Sequence, residues 1–116
     1  MSKVASRFKV GPKARFHNSR GGASLLVHLT ADRGHPTHAV LQDVGVLHVH
    51  LQTGARGSRL EQILEDYLAR HLRLSPGQVA VVAGEGRPRK IVAVYDISPR
   101  ELERRMTSWL GNPAWS

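Results

Sequence analysis

Three segments of the sequence carry side chains whose chemistry suits binding of an ion. The first is VLHVHLQ at 46–52, in which His48 and His50 are two positions apart. On a strand this spacing places both imidazoles on one face, about 7 Å apart, and His28 in another predicted strand offers a third ligand. The pattern fits a metal site, and it also fits polar side chains on the solvated face of a half-buried sheet. No carboxylate on the adjacent strands is evidently placed to orient a ligating imidazole, so the second interpretation is favoured.

The other two segments are the loops TGARGSR at 53–59 and GEGRPRK at 84–90, where glycines alternate with cations. The first loop ends at the start of a predicted helix, whose free amide groups and dipole attract anions. It lacks the lysine followed by serine or threonine of a nucleotide-binding phosphate loop. The second loop leads into a strand, so no helix terminus assists it. Each loop is either an arginine-based phosphate site or a solvated turn. The cations that the loops contribute are Arg56, Arg59, Arg87, Arg89 and Lys90.

The positive charge of the chain is concentrated near its N-terminus. The net charge is +8, from 17 Lys and Arg residues against nine Asp and Glu residues. Residues 1–22 hold six of these cations and no acid, and we predict that they form a flexible basic arm. Such an arm favours polyanions through the release of condensed counterions, although it also fits a solvated leader without a ligand. Its cations are Lys3, Arg7, Lys9, Lys13, Arg15 and Arg20.

Composition excludes or disfavours several classes of function. Cysteine is absent, which excludes disulfides, thiolate zinc sites and cysteine nucleophiles. The spacing suggests neither a serine, histidine and acid constellation nor a catalytic carboxylate pair, so we expect a non-enzymatic protein without a cofactor. No apolar run approaches the length needed to cross a bilayer, so we expect no membrane association. A cysteine-free chain suits the reducing cytoplasm, and the basic, acid-free arm leaves an organelle address open.

The elements that position these residues follow from periodicity and turn chemistry. Alternation of apolar and polar residues predicts strands at 25–30, 39–42 and 46–52. The apolar runs QVAVVA at 78–83 and KIVAVY at 90–95 predict a β-hairpin. The cationic segment GEGRPRK is then the tip of this hairpin, with its cations held outward.

Two amphipathic helices are predicted, at 58–72 and 98–110. Each begins with a serine that is followed three residues later by a glutamate, the pattern of a capping box. Spacings of three and four define one apolar stripe on each helix. The stripes are Leu60, Ile63, Leu64, Tyr67, Leu68 and His71 in the first helix, and Leu102, Met106, Trp109 and Leu110 in the second.

The order of strands, helix, strand hairpin and helix indicates a single α+β domain at 23–112, followed by a short tail at 113–116. Both helices need an apolar surface to cover, and a mixed or antiparallel sheet of four to five strands offers one. We therefore predict two layers, with both helices packed on one face of the sheet. The opposite face, which carries the histidines, is then open to water.

From about residue 24 to 99 the chain resembles the YggU-like family of small uncharacterised α+β proteins (domain of unknown function 167), and residues 47–94 follow the order and spacing of its motifs. Gly57 stands at the glycine of the family's PxxGxAN loop, and Gly84 and Lys90 stand at the two ends of its GxxSRxK turn. The chain resembles a divergent member, because the family's Ala-Asn and Ser-Arg pairs are replaced by Arg59-Leu60 and Arg87-Pro88. The resemblance implies a sandwich of one sheet and two helices, and it implies no activity.

These patterns together predict a non-enzymatic binding module for nucleic acid, with RNA as the favoured ligand. Its contacts are expected to be phosphate contacts, made by the cations of the arm and of the two loops. One alternative is a protein–protein adaptor that docks an acidic partner, and a less favoured one is a histidine-based metal-binding protein. The polyanion interpretation gains if residues 56–59 and 87–90 converge on one face of the domain.

Overall fold

The computed structural model describes residues 21–42 and 45–111. Residues 1–20 of the predicted arm and the predicted tail lie outside the described residues. The secondary structure consists, in order, of β1 (Gly22–Asp32), β2 (His38–Leu41), β3 (Val46–Gln52), α1 (Gly57–Leu72), a 3₁₀ turn (Pro76–Gln78), β4 (Val79–Ala83), β5 (Arg89–Tyr95) and α2 (Pro99–Leu110). Neither described helix combines the length and the hydropathy that a membrane span requires.

The five strands form one mixed sheet in the order β2-β3-β1-β5-β4. The central strand, β1, pairs in parallel with β3, where His28 lies opposite His48, and antiparallel with β5, where Val27 lies opposite Lys90. Because β2 lies on the far side of β3, the connection between β1 and β2 passes over the end of β3. The edge strand β4 contains a bulge, since Val81 and Ala83 pair with consecutive residues of β5.

One face of this sheet carries the hydrophobic core. Alternate side chains of β1, β3 and β5 pack against the two helices. The fully buried residues of this core include Leu25, Leu47 and Val92 from the strands and Leu64 and Met106 from the helices. The other face carries the histidines together with partly exposed apolar residues, and no described element of residues 21–42 and 45–111 packs across it as a second layer. The predicted α+β architecture, with two helices against a mixed sheet, is confirmed.

The two helices begin differently, although the sequence predicts a capping box for both. In α2, the Ser98 hydroxyl accepts a hydrogen bond from the Glu101 amide at 3.1 Å, so the predicted cap is confirmed. The Glu101 carboxylate binds Arg104 and Arg105, so the reciprocal half of the capping box is not formed. In α1 the prediction is wrong, because the helix begins one residue earlier, with Arg56 as the N-cap residue and no side-chain cap. The Glu61 carboxylate, the expected partner of Ser58, instead binds a lysine on the sheet.

That lysine is Lys90, and its ammonium group is buried on the helix-facing side of β5. Its Nζ donates to Glu61 Oε2 at 3.1 Å and to the Gly84 carbonyl oxygen at 3.0 Å, and the residue is 5% exposed. The prediction that Lys90 points outward from the hairpin tip is therefore wrong. The position in the strand explains the difference. Lys90 lies two and four positions before Val92 and Val94, so its side chain points to the same buried face of the sheet.

We expect Lys90→Met to destabilise the domain by about 3 kcal/mol, because it leaves a largely buried Glu61 carboxylate without its cation. The measurement is the free energy of unfolding in urea. The double variant Glu61→Leu/Lys90→Met should recover most of that loss, because an apolar pair removes both charges. Arg89→Met is the matched control on the exposed side of the same strand, with an expected change within about 0.5 kcal/mol. Equal losses of unfolding free energy in Lys90→Met and Arg89→Met would contradict the burial of the Lys90 ammonium group against Glu61.

A second polar contact joins the two helices at the C-terminal end of α1. The Arg105 guanidinium of α2 donates to the Leu72 and Arg73 carbonyl oxygens, at 3.2 and 2.9 Å, and so satisfies carbonyl groups that a helix end leaves free. The Glu101 carboxylate holds Arg105 at 2.9 Å and Arg104 at 2.6 Å. Hydrogen bonds from Arg104 first, and then from Arg105, lower the pKa of Glu101 from 4.5 to about 2.

This lowered pKa predicts a specific dependence of stability on pH. A carboxyl group whose pKa is depressed by folding stabilises the folded state above its unfolded pKa, and loses that contribution as the pH falls through the folded pKa. Glu101→Gln should therefore lower the melting temperature above pH 4.5, and the difference from the native chain should vanish as the pH approaches 2. Glu85→Gln, at an exposed carboxylate without an ion pair among the described residues, is the control and should show no such trend.

Candidate functional site

The two cationic loops meet in one depression on the surface, which we call the basic cleft. The Pro88 carbonyl oxygen accepts a hydrogen bond from the Leu29 amide at 2.8 Å, and this contact extends the β1–β5 ladder into the hairpin turn. The loop before α1 forms the opposite wall. The cleft has a volume of about 240 Å³ and is lined by Leu29, Arg56, Gly57, Leu60, Gly86, Arg87, Pro88 and Lys90.

The electrostatics of the basic cleft favour an anion. Arg56 and Arg87 are both exposed, and neither side chain forms a hydrogen bond or an ion pair with any residue in 21–42 or 45–111. The first turn of α1 contains no acidic residue and no side-chain cap, so its positive dipole end is not compensated. The nearby Glu61 carboxylate is neutralised by Lys90. Two free guanidinium groups and an uncapped helix start therefore surround one depression.

The other predicted anion-binding residues are distributed differently. Arg59 is exposed in the first turn of α1 but does not line the basic cleft. Arg89 lies on the opposite face of the sheet, because it directly precedes the buried Lys90 in β5 and successive side chains of a strand point to opposite faces. The six cations of the arm lie outside the described residues. Convergence is thus found for Arg56 and Arg87. Lys90 also lines the basic cleft, but its ammonium group is bound to Glu61 and to the Gly84 carbonyl oxygen.

Arg89 belongs with two of the histidines on the histidine-bearing face. The rings of His28 and His48 stack at a centroid distance of 5.0 Å, and both line a shallow cavity of about 210 Å³ with Arg89. Burial lowers the pKa of His48, and repulsion from His28 and Arg89 lowers it further. The lowered pKa favours the neutral form of the His48 imidazole.

The third predicted metal ligand is separated from this pair. His50 turns away from His28 and His48 towards the end of β1, where its ring lies near Asp32 and His35. The three histidines that the sequence offers as candidate ligands therefore do not form one group, since His28 and His48 interact with each other and His50 belongs to another group. No local pattern indicates Asp32 as a partner of His50, because its position depends on the parallel pairing of β1 with β3.

A further cationic surface, which the sequence interpretation missed, lies at the C-terminal end of α1. A cavity of about 460 Å³ between the helices is lined by several arginines and by Trp109. His71, predicted to be buried, is exposed and stacks on Trp109 at a centroid distance of 4.9 Å. The lining arginines are Arg70, Arg73, Arg104 and Arg105. Basic residues are common at helix C-termini, but their grouping here depends on how α1 and α2 cross.

No known relative explains either cationic surface. Comparison with protein-family models, with curated proteins and with solved structures yields no match to this chain.

The hairpin turn that shapes the basic cleft offers a test with two matched glycines. Gly84 and Gly86 both have positive φ, at +94° and +73°, but only at Gly84 would an added Cβ collide with backbone atoms, those of Arg89 and Lys90. Gly86→Ala should cost about 1–2 kcal/mol, the usual penalty of the left-handed conformation. Gly84→Ala should cost clearly more in urea unfolding, because the turn must also move. Equal costs would contradict the turn geometry described above.

Proposed function

We propose that this protein is a non-enzymatic binding module for RNA, with the basic cleft as a phosphate-binding site. The observation that carries the proposal is the convergence of Arg56 and Arg87 on one depression without a neutralising carboxylate. A guanidinium group binds phosphate through paired hydrogen bonds. The amide groups at an uncapped helix start complement it, because they also donate to phosphate oxygens.

The charge distribution of the chain supports a polyanion rather than a single phosphate. The chain carries a net charge of +8, and six cations lie within residues 1–22. Release of counterions from a polyanion gives such a chain an affinity that falls steeply with salt. Contacts to phosphate carry little sequence information, so we expect weak dependence on base sequence.

The residues of the second cationic surface favour a single-stranded nucleic acid over an intact duplex, and RNA is the single strand that we propose. There, exposed arginines adjoin the stacked rings of His71 and Trp109, at a centroid distance of 4.9 Å. Unpaired bases stack on aromatic side chains and on guanidinium planes, a mode that single strands offer and intact duplexes do not. Membership of the YggU-like family remains part of this proposal and adds no activity to it.

The proposal predicts that Arg56→Gln and Arg87→Gln weaken binding of a short, fluorescently labelled single-stranded RNA, measured by anisotropy. Each variant should also lower the slope of log affinity against log salt by about 0.7, because one phosphate contact is lost. Arg100→Gln is the matched control. It removes an exposed cation from the start of α2, which follows the opposite end of β5 from the hairpin turn.

Three outcomes would contradict the proposal. These are no binding by the native chain at low salt, an affinity independent of salt, and an Arg100→Gln loss equal to that of Arg56→Gln. Capture of an acidic protein that survives nuclease treatment, together with no RNA affinity, would instead support the adaptor alternative.

A further inference from the structure

A group of three potential metal ligands meets on the histidine-bearing side of the sheet, at the end of β1. One ligand atom from each of Asp32, His35 and His50 lies within 4.8 Å of the other two. Asp32 Oδ1 is 3.0 Å from His35 Nδ1 and 3.5 Å from His50 Nε2. Ligand atoms around a tetrahedral zinc ion lie roughly 3.3 Å apart. The two distances from Asp32 Oδ1 thus lie on either side of the spacing in a zinc coordination shell.

His50 is the member whose environment points most directly to a ligand. The residue is 9% exposed, and its Nδ1 lies 2.8 Å from the Thr30 hydroxyl. Its other ring nitrogen, Nε2, is buried without a hydrogen-bond partner and faces the Asp32 carboxylate. A buried polar atom without a partner is costly. A cation between Nε2 and the carboxylate would satisfy both.

The Thr30 contact has the form of an outer-shell interaction. When Nδ1–H donates to the hydroxyl oxygen, the lone pair of His50 lies on Nε2, directed at Asp32. Ligating histidines commonly donate their second ring N–H in this way, which fixes the tautomer and the ring orientation. Thr30 lies directly opposite His50 in the parallel β1–β3 ladder, so the sheet itself holds this contact in register.

The path of the chain between β1 and β2 explains why His35 lies beside His50. The connection from β1 to β2 crosses the end of β3 and is held there by Gln52, whose amide donates to Thr37 at 2.9 Å and whose side chain donates to Arg33 at 3.1 Å. The crossing carries His35 over the ring of His50, at a centroid distance of 5.8 Å. Asp32 is held in place by the amides of Gly34 and His35.

We propose that Asp32, His35 and His50 bind a divalent transition-metal ion, with zinc as the first candidate. Two imidazoles and one carboxylate suit zinc or iron(II) and are poor ligands for calcium, which requires oxygen atoms. Three protein ligands leave a coordination position for water. His38 stacks on His50 at a centroid distance of 5.8 Å but does not belong to the group of three ligands. This site is separate from the basic cleft and independent of RNA binding.

His35 and Asp32 contact each other directly through the atoms that are proposed as ligands. His35 Nδ1 lies 3.0 and 3.1 Å from the two Asp32 oxygens, and in this contact the Nδ1–H tautomer donates to the carboxylate. Binding of a metal through Nδ1 requires the other tautomer, with the proton on Nε2, because only an unprotonated nitrogen has a lone pair to offer.

The test is calorimetric titration of untagged, chelator-treated full-length protein with zinc chloride in a buffer that does not bind metal. We expect one zinc ion per chain. Asp32→Asn and His35→Ala, both at exposed positions, should weaken the affinity at least about tenfold, the loss typical even of an outer-shell contact. Thr30→Val should weaken it similarly while leaving all three ligands in place. Melting temperatures in chelator show whether each variant is folded.

His28→Gln and His48→Gln are the matched controls, because they remove imidazoles from the same face of the sheet but outside the group. Their zinc affinity should equal that of the native chain. Nitrogen-15 shifts of the imidazoles provide a second readout, in which zinc should move the Nε2 resonance of His50 and leave that of His28 unchanged. The proposal is overturned by absence of binding, by equal losses in the controls, or by zinc shifts confined to other histidines.

Discussion

The contact between Lys90, Glu61 and the Gly84 carbonyl oxygen determines the geometry of the cationic side of this domain. It joins the first turns of α1 to the base of the hairpin turn, two segments that are far apart in sequence. A buried ammonium group is tolerated only when its donors are satisfied and its charge is paired, so the positions of both segments are tightly constrained. Arg56 and Arg87 extend from these same segments. The buried cation therefore holds the two exposed ones around a common depression.

Strand connectivity, in contrast, positions the group formed by Asp32, His35 and His50. A hairpin between consecutive strands would have placed β2 directly beside β1, with a short turn and no crossing. Instead β3 lies between them, and the connecting segment covers the end of β3. This segment brings the His35 imidazole to His50, and the parallel pairing of β1 with β3 brings the Asp32 carboxylate. The basic cleft depends on a side-chain contact, whereas the histidine and aspartate group depends on topology.

The features that the sequence predicts well are those with a local physical signal. Alternation in β3 and the stripe of α2 indicate the elements and their buried faces, because side-chain direction follows directly from backbone period. A local signal exists for Lys90 as well, since it lies two and four positions before Val92 and Val94 on the same face of β5, but its charge favours the opposite, exposed placement. The capping box predicted for α1 does not form, because the Glu61 carboxylate binds the buried ammonium group of Lys90 instead. The pairing of Asp32 with His50 requires knowledge of the strand order, which no local pattern supplies.

The two outer strands determine where the sheet stops. At one edge β2 is only four residues long, and at the other β4 carries its bulge beside Val82, which is 45% exposed. The Glu65 carboxylate of α1 also accepts the Val81 amide at 2.9 Å, so a side chain already occupies one donor of β4. Short, bulged or occupied edges are poor templates for a further strand. A domain with exposed valines at both margins is thereby protected against edge-to-edge aggregation.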